Sequence, residues 1–324
     1  MVFELVLCLT ILGTGLTALL NRNALGAIVF FVVFGNLLGV AWLTMDAVNV
    51  ALAEIALGAG VTGILLIVAR ARLKASADEQ VLPATGVALH LAALTICTGL
   101  AVVLAIAVLS IEPMDKLGAD VSALLPGIGI ENPVTGVLLA FRAYDTLLET
   151  FVLLAALIAT WALSPVKGWP LAPAALDIRS SAERSVAGAF GRILLPAALV
   201  MAAYLVWAGS DYPGGAFQGG TVLAGGLVLA ALGGAVALPL ADSLRLRIAV
   251  AAGPLVFLGV ALLGLAFGRF LAYPPGLEKT MIVTIEYFLA LSIGVTLALL
   301  VAGPPAPQRG ALEGFRRDDE RKNA

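Results

Sequence analysis

Long apolar runs separated by short polar stretches dominate the pattern of hydrophobic and polar positions. A transmembrane helix needs about 20 mostly apolar residues to cross a hydrocarbon core about 30 Å thick. Runs of about this length lie near residues 2–20, 24–43, 48–69, 86–110, 138–163, 192–209, 217–238, 248–271 and 280–302. They are too long and too rich in Leu and Ala to be strands of a membrane barrel. The pattern therefore predicts an all-α integral membrane protein with about nine transmembrane helices.

The composition agrees with a membrane protein. Of the 324 residues, 61% are hydrophobic and 12% are charged, and the mean hydropathy is +1.04, whereas about a quarter of the residues in a soluble domain are charged. The net charge is −2 and the basic residues are scattered, which argues against nucleic-acid binding. Cys8 and Cys97 lie far apart in apolar runs, so we expect no disulfide framework, metal site or cofactor.

The basic residues predict how the chain lies across the membrane. With nine helices, fifteen of the 19 Lys and Arg residues fall on one side and only Lys116, Arg269 and Lys279 on the other, with Arg142 inside a helix. Because Lys and Arg are enriched in cytoplasmic loops, the N-terminus is predicted outside and the C-terminus in the cytoplasm. The loop 111–132 is then external, the linker 164–188 is cytoplasmic, and the tail 304–324 is predicted to be disordered.

The segment FRAYDTLLET contains three charged residues at membrane depth. Arg142, Asp145 and Glu149 are spaced i, i+3 and i+7, which places them on one face of a continuous helix. One reading is a hydrated ion or proton relay, and the other is an internal ion pair that neutralises Arg142. One arginine neutralises only one carboxylate, so the relay is favoured for Glu149.

Three further titratable residues lie inside predicted helices. Glu54 lies about two turns into the third run, and Glu286, in IVTIEYFLAL, has a similar depth in the last run. Each is predicted to line an ion or proton path, although the side chain of Glu286 could instead extend to the headgroups. His90, the only histidine, is a candidate proton shuttle or a structural residue.

The segment DYPGGAFQGG breaks the helical pattern between two apolar runs. Pro213, Gly214 and Gly215 disrupt helix geometry, and Asp211 and Gln218 flank the break, with Gly219 following. A phosphate-binding loop would need a preceding strand and a following Lys-Ser/Thr, which are absent from the segment. We therefore predict a turn or re-entrant break that lines a polar cavity. The glycines from Gly225 to Gly234 are predicted to be sites of close helix packing.

Three stretches resemble Mrp multisubunit cation/proton antiporters and related modules of membrane-bound hydrogenases. Residues 46–60, DAVNVALAEIALGAG, resemble the C-terminal region of the A-type Mrp subunit, which corresponds to the D-type subunit of the hydrogenases. Residues 132–155, NPVTGVLLAFRAYDTLLETFVLLA, resemble the next module, the E-type hydrogenase subunit, whereas residues 192–220 resemble the B-type Mrp subunit. The implied modules are 1–75 (D-type), 84–165 (E-type) and 188–303 (B-type).

This resemblance implies a subunit of a Na⁺(K⁺)/H⁺ antiporter in the cytoplasmic membrane of a bacterium or archaeon. Other Mrp subunits would be its partners and supply the main proton channels, and the chain would have no catalytic site of its own. Glu54, Asp145 and Glu149 match acidic residues of the family, whereas Asn49 replaces an Asp and Ser210 a His. The alternatives are an ion-translocating subunit of a redox-driven, hydrogenase-like complex and a structural scaffold subunit.

Overall fold

A computed structural model describes residues 2–76, 87–111, 115–162, 172–173, 181–236, 243–303 and 305–306. These residues form twelve α-helices, two π-helical segments, one 3₁₀ turn and one pair of two-residue strands. The α-helices are α1 Val2–Leu20, α2 Ala24–Thr44, α3 Val48–Ala53, α4 Thr62–Ser76, α5 Val87–Ser110, α6 Asp115–Ile128, α7 Pro133–Gly136, α8 Ala143–Ala162, α9 Ser181–Ala208, α10 Ala216–Leu232, α11 Leu244–Leu263 and α12 Glu278–Ala302. The other elements are the π segments Glu54–Val61 and Val137–Phe141, the 3₁₀ turn Gly264–Phe267, and strands β1 Ala172–Pro173 and β2 Pro305–Ala306, which pair antiparallel.

The predicted all-helical membrane fold is confirmed. Within the described ranges, eight helices are long and apolar enough to cross a membrane. The count rises to nine if Gly118–Ile128 and Pro133–Phe141, which meet at 83°, form one broken span. The chain is therefore a multi-pass membrane protein.

The structure corrects three of the predicted elements. The region 111–132, predicted as a loop, contains helix α6. The predicted helix 138–163 is interrupted at Arg142, whose φ of −127° and ψ of 32° are not helical. The predicted helix 217–238 is the shorter α10, which ends at Leu232. A hydropathy pattern sums over apolar residues and does not register these backbone breaks.

Two predicted segments fall largely outside the described residues. Of the linker 164–188, the structure describes only β1 and the start of α9, and of the tail 304–324 it describes only β2. The predicted disorder of the tail is therefore not tested.

Helices α9, α10 and α12 form the centre of the molecule, and α12 is the most buried, with 72% of its apolar span inside the protein. Glycines bring α10 and α12 together: a Cβ at Gly220 would lie 2.8 Å from Ile293 Cγ2, and one at Gly294 would lie 2.8 Å from Leu223 Cδ2. Close approach at small residues is the usual way in which helices associate within lipid. Among the predicted packing glycines, Gly226 faces Ala198 of α9, whereas a Cβ at Gly225 would have no neighbour within 4 Å.

Candidate functional site

A cavity of about 370 Å³ lies where α3, α7, α8, α12 and the turn before α10 meet. Most of its wall is apolar, and a few polar side chains interrupt it. These polar residues are Asn49, Thr135, Thr146, Glu149, Gln218 and Glu286. They come from the three segments with separate family resemblances, so the cavity exists only because those segments fold together. A mostly apolar cavity with a few converging polar groups is typical of a binding site.

Glu286 is the most deeply buried carboxylate of the cavity wall, with an exposed fraction of 3%. Its Oε1 accepts a hydrogen bond of 3.3 Å from the backbone N–H of Ala216, at the first turn of α10. Its Oε2 is buried and has no hydrogen-bond donor among the described residues. The N-terminal end of a helix favours a negative charge, so the position suits a carboxylate whose second oxygen awaits a partner.

The predicted break at Pro213 is confirmed as a tight turn between α9 and α10. Gly215 has a φ of +126°, a conformation that L side chains rarely adopt, and its N–H donates to Leu205 O at 2.9 Å. The N–H of Gly214 donates to Asn49 Oδ1 at 3.0 Å. The turn thereby directs the Ala216 N–H toward Glu286.

Asn132 joins the turn to two other parts of the chain. Its Nδ2 donates to Gly209 O and to Tyr212 O, each at 2.9 Å. Its Oδ1 accepts from Val134 N at 3.1 Å, which caps α7, and from Asn49 Nδ2 at 3.2 Å. All the donors and acceptors of this amide are therefore used inside the protein.

Gln218 lies beside Glu286 in the cavity wall. Its Nε2 donates to Asn49 O at 3.3 Å, so its Oε1 remains as an acceptor. A Cβ on Gly215 would lie 3.1 Å from Glu286 Oε1 and 3.3 Å from Gln218 Oε1. The two side chains therefore converge on the space that the glycine leaves open. Gly219, one residue further, packs against Ala202 O of α9.

Of the three charged residues in FRAYDTLLET, only Glu149 lines the cavity, and its side chain is exposed on the open side. Arg142 and Asp145 form an ion pair with side-chain exposures of 71% and 53%. Arg142 lies in the break before α8 and not in the helix itself. The continuous helix assumed from the sequence is therefore absent at this point, and the ion pair lies on the surface of the isolated chain.

Glu54 and His90 lie apart from this cavity. Glu54 is half-buried at the start of a π segment, and its carboxylate folds back against Gly58, while its neighbours Ala53 and Leu57 line the cavity. π turns occur frequently at functional sites. His90 lies in α5, but its side chain is outside the described part of the structure.

Asp211 and Lys279 form an ion pair above the cavity, with Lys279 Nζ at 2.7 Å from Oδ1 and 2.8 Å from Oδ2. Partial burial raises the pKa of Asp211, but hydrogen bonds from Lys279 and Ser210 outweigh it and hold that pKa below its usual value. Pro213 is exposed at the tip of the same turn. The pair ties this turn to the start of α12.

Sequence reasoning missed Asn132 and Thr135 as site residues. The signal was present, because Asn followed by Pro is a common way to begin a helix. Thr135 Oγ1 donates to Gly209 O, the carbonyl that also accepts from Asn132. Their contacts with the glycine turn join residues more than 70 positions apart, and a local pattern carries no information about them.

The fold and the cavity define a multi-pass helical membrane protein with a polar site beside a broken helix. Residues 186–303 match the MnhB family, described as a domain related to the MnhB subunit of Na⁺/H⁺ antiporters. Residues 9–75 match the MbhD family, described as the D-type subunit of MBH. The chain is thus an Mrp-type fusion of a D-like part and a B-like part. No significant match was found among curated proteins.

Two solved structures have a similar fold. The Mrp complex from Dietzia sp. DQ12-45-1b aligns with a TM-score of 0.71 and 22% identity over 94% of this chain. The alignment covers 35% of the Dietzia chain, so the present chain spans about a third of its length. The membrane-bound sulfane sulfur reductase, an archaeal respiratory membrane complex, aligns with a TM-score of 0.53 and 22% identity over 67% of this chain and 97% of that one.

Proposed function

We propose that the chain is a membrane subunit of a Mrp-type Na⁺(K⁺)/H⁺ antiporter complex and that its cavity forms part of the cation and proton path. In this proposal the chain takes part in transport and is not an enzyme. Its partners are the large proton-channel subunits and the small membrane subunits of the complex. The matches to an antiporter-related family and to the fold of an Mrp complex support this assignment.

The observation that carries the proposal is the pairing of two carboxylates with one cavity inside a membrane protein. Glu286 lies at its buried end and Glu149 at its open side. Among the lining residues that the structure describes there is no Lys, Arg or His. A charged side chain at the centre of a membrane helix costs roughly 2.5–3.5 kcal/mol on insertion scales, so such groups usually mark ion or proton routes.

In this arrangement Glu149 receives ions or protons from a neighbouring protein of the complex, and Glu286 holds them next to α10. The Arg142 and Asp145 pair adjoins the entrance and tunes its potential. Glu54, on the π segment behind the cavity wall, belongs to a neighbouring half-path. The glycine turn supplies the backbone donor that orients Glu286.

Glu149→Gln in the intact complex tests the proposal, because it removes the charge and keeps the shape. We expect Na⁺-driven proton exchange in inverted vesicles to fall at least tenfold while the complex still assembles. Glu278→Gln is the matched control, since Glu278 lies on α12 but outside the cavity wall. Unchanged exchange in the Glu149→Gln complex would remove the relay role.

A second candidate is an ion-translocating subunit of a redox-driven membrane complex. Two observations favour it: the match of residues 9–75 to the MbhD family and the similar fold of the sulfane sulfur reductase. Purification of the native complex and identification of its subunits separates the two candidates. Iron–sulfur or nickel–iron subunits would support the redox complex, and large antiporter-like subunits alone would support the antiporter.

A further inference from the structure

We propose that Glu286 and Gln218 form a binding site for one monovalent cation, Na⁺ or K⁺, and that Asn49 is its positioning residue. The proposal rests on the proposed function, because it names the ligand of the same cavity. Three observations support it: the buried carboxylate oxygen without a donor, the fixed orientation of the Gln218 amide, and the absence of a basic side chain among the described lining residues.

The orientation of Glu286 leaves one oxygen for a ligand. Oε1 is held by the Ala216 N–H, and Oε2 is buried without a protein donor in the described part of the chain. A buried polar atom in a native protein normally has a partner. A cation or a cation-bound water would satisfy this oxygen.

Gln218 supplies a second oxygen. Because its Nε2 donates to the carbonyl of Asn49, the amide presents Oε1 as its acceptor. This oxygen and Glu286 Oε1 both lie close to the position that a Cβ of residue 215 would occupy, at 3.3 Å and 3.1 Å. Oxygen atoms from two side chains thus converge beside one open space.

The chemistry of these groups selects a monovalent cation. Both Glu286 and Gln218 present oxygen acceptors, which hard cations prefer. Ca²⁺ usually takes 6–8 oxygen ligands including several carboxylates, whereas one buried carboxylate balances one positive charge. The volume of about 370 Å³ leaves room for the ion together with several waters, each of which takes about 30 Å³.

Asn49 positions both ligands through separate contacts. Its Oδ1 holds the Gly214 N–H at 3.0 Å, and this fixes the turn that aims Ala216 N–H at Glu286. Its carbonyl holds the Gln218 amide. Asn49 therefore acts on the site without touching the cation.

Carbodiimide labelling of the wild-type complex tests the site without relying on transport. Dicyclohexylcarbodiimide reacts with protonated carboxyl groups in membranes, and a bound cation displaces the proton that the reaction needs. At constant pH we expect NaCl or KCl to slow labelling of Glu286, measured by mass spectrometry, at least threefold relative to choline chloride. Equal rates in all three salts would overturn the cation site.

Variants supply a second readout. Gln218→Met keeps the length of the side chain but removes its oxygen, so we expect the half-saturating cation concentration for exchange to rise at least fivefold, with a smaller change in the maximal rate. Asn49→Ala should raise it in the same way, and Asn49→Ser, which retains a hydroxyl at this position, should restore part of the affinity. A purely structural role would lower the amount of assembled complex without moving the half-saturating concentration, and that result would contradict the proposal.

The two proposals fail in different ways. If wild-type vesicles catalyse no cation-dependent proton exchange, the antiporter function fails whatever the labelling shows. If exchange is present and falls in Glu149→Gln, but labelling does not depend on Na⁺ or K⁺ and Gln218→Met has unchanged half-saturation, only the cation site fails.

Discussion

Asn49 donates a hydrogen bond from Nδ2 to Oδ1 of Asn132 across 3.2 Å, although the two residues are 83 positions apart. The direction of this bond is fixed. Asn132 Nδ2 already donates to two carbonyl oxygens, so its Oδ1 must be the acceptor and residue 49 must supply a donor. The resemblance to the Mrp family suggested an Asp at this position. An ionised Asp would place one oxygen against another, so the asparagine and the amide of Asn132 belong together.

Asn132→Asp should strongly destabilise the fold. The substitution removes the donor to Gly209 O and Tyr212 O and leaves a charge in a residue that is 4% exposed. Removing one partner from a buried hydrogen bond costs about 1–3 kcal/mol, and more when a charge is left behind. We expect a clear fall in the thermal unfolding midpoint of the purified complex in detergent.

Asn23→Asp is the matched control for this substitution. Asn23 caps α2 through its Oδ1 alone, which accepts from Leu25 N at 3.0 Å. Asn and Asp are almost equally good at this position of a helix, so the midpoint should hardly change. If both substitutions lowered the midpoint equally, the double donation by Asn132 would not be what stabilises the turn.

The sequence predicted the helical membrane class and the glycine break, because both depend on local composition. It predicted Glu286 as a path residue from its depth in an apolar run. It could not predict the contact between Asn49 and Asn132 or the pairing of Glu286 with the Ala216 N–H, since these depend on how distant segments pack. The break at Arg142 was missed for a different reason, namely that the surrounding residues are apolar on both sides and continue the hydropathy pattern.

Gly215→Ala should distort the turn and the cavity at once. The φ of +126° and ψ of −176° at Gly215 fall in a region that is essentially restricted to glycine, and strain of this kind costs about 1–3 kcal/mol. The added methyl group would also lie 3.1 Å from Glu286 Oε1. We expect a lower thermal midpoint and slower cation exchange in vesicles.

Gly225→Ala provides the comparison, because Gly225 is helical and a Cβ there has no neighbour within 4 Å. Replacing a glycine by alanine in a helix stabilises it by up to about 1 kcal/mol. The thermal midpoint should stay the same or rise. A fall as large as that of Gly215→Ala would show that α10 responds to any added methyl group and not to the special conformation at Gly215.

Tyr273→Phe should weaken the π segment at residues 137–141. The Tyr273 hydroxyl donates to Leu139 O at 2.6 Å, and Thr146 Oγ1 donates to Leu138 O at 2.7 Å, so hydroxyl groups satisfy carbonyls at this irregular turn. Burial raises the pKa of Tyr273, so its hydroxyl stays protonated and able to donate at neutral pH. Loss of this bond should cost about 1 kcal/mol, measured as a lower thermal midpoint. Tyr204→Phe, at a residue that is 55% exposed, should have no such effect, and an equal loss there would contradict the assignment.

The Asp211 and Lys279 pair predicts a pH dependence with a definite sign. The pKa of Asp211 is lowered in the folded protein, so the stabilisation is fully present above its usual value of 3.8 and is lost as the pH falls through the lowered value. Because the two side chains are 29% and 43% exposed, the pair should contribute no more than about 1 kcal/mol and weaken in high salt. Lys279→Met should lower the thermal midpoint at pH 7, and the difference from the wild type should shrink below about pH 4, where Asp211 becomes protonated in both proteins. Glu278→Gln, one residue away, serves as the control and should leave the pH dependence of the midpoint unchanged. A difference between Lys279→Met and the wild type that is the same at pH 7 and pH 3 would show that the lysine stabilises α12 by some means other than its charge.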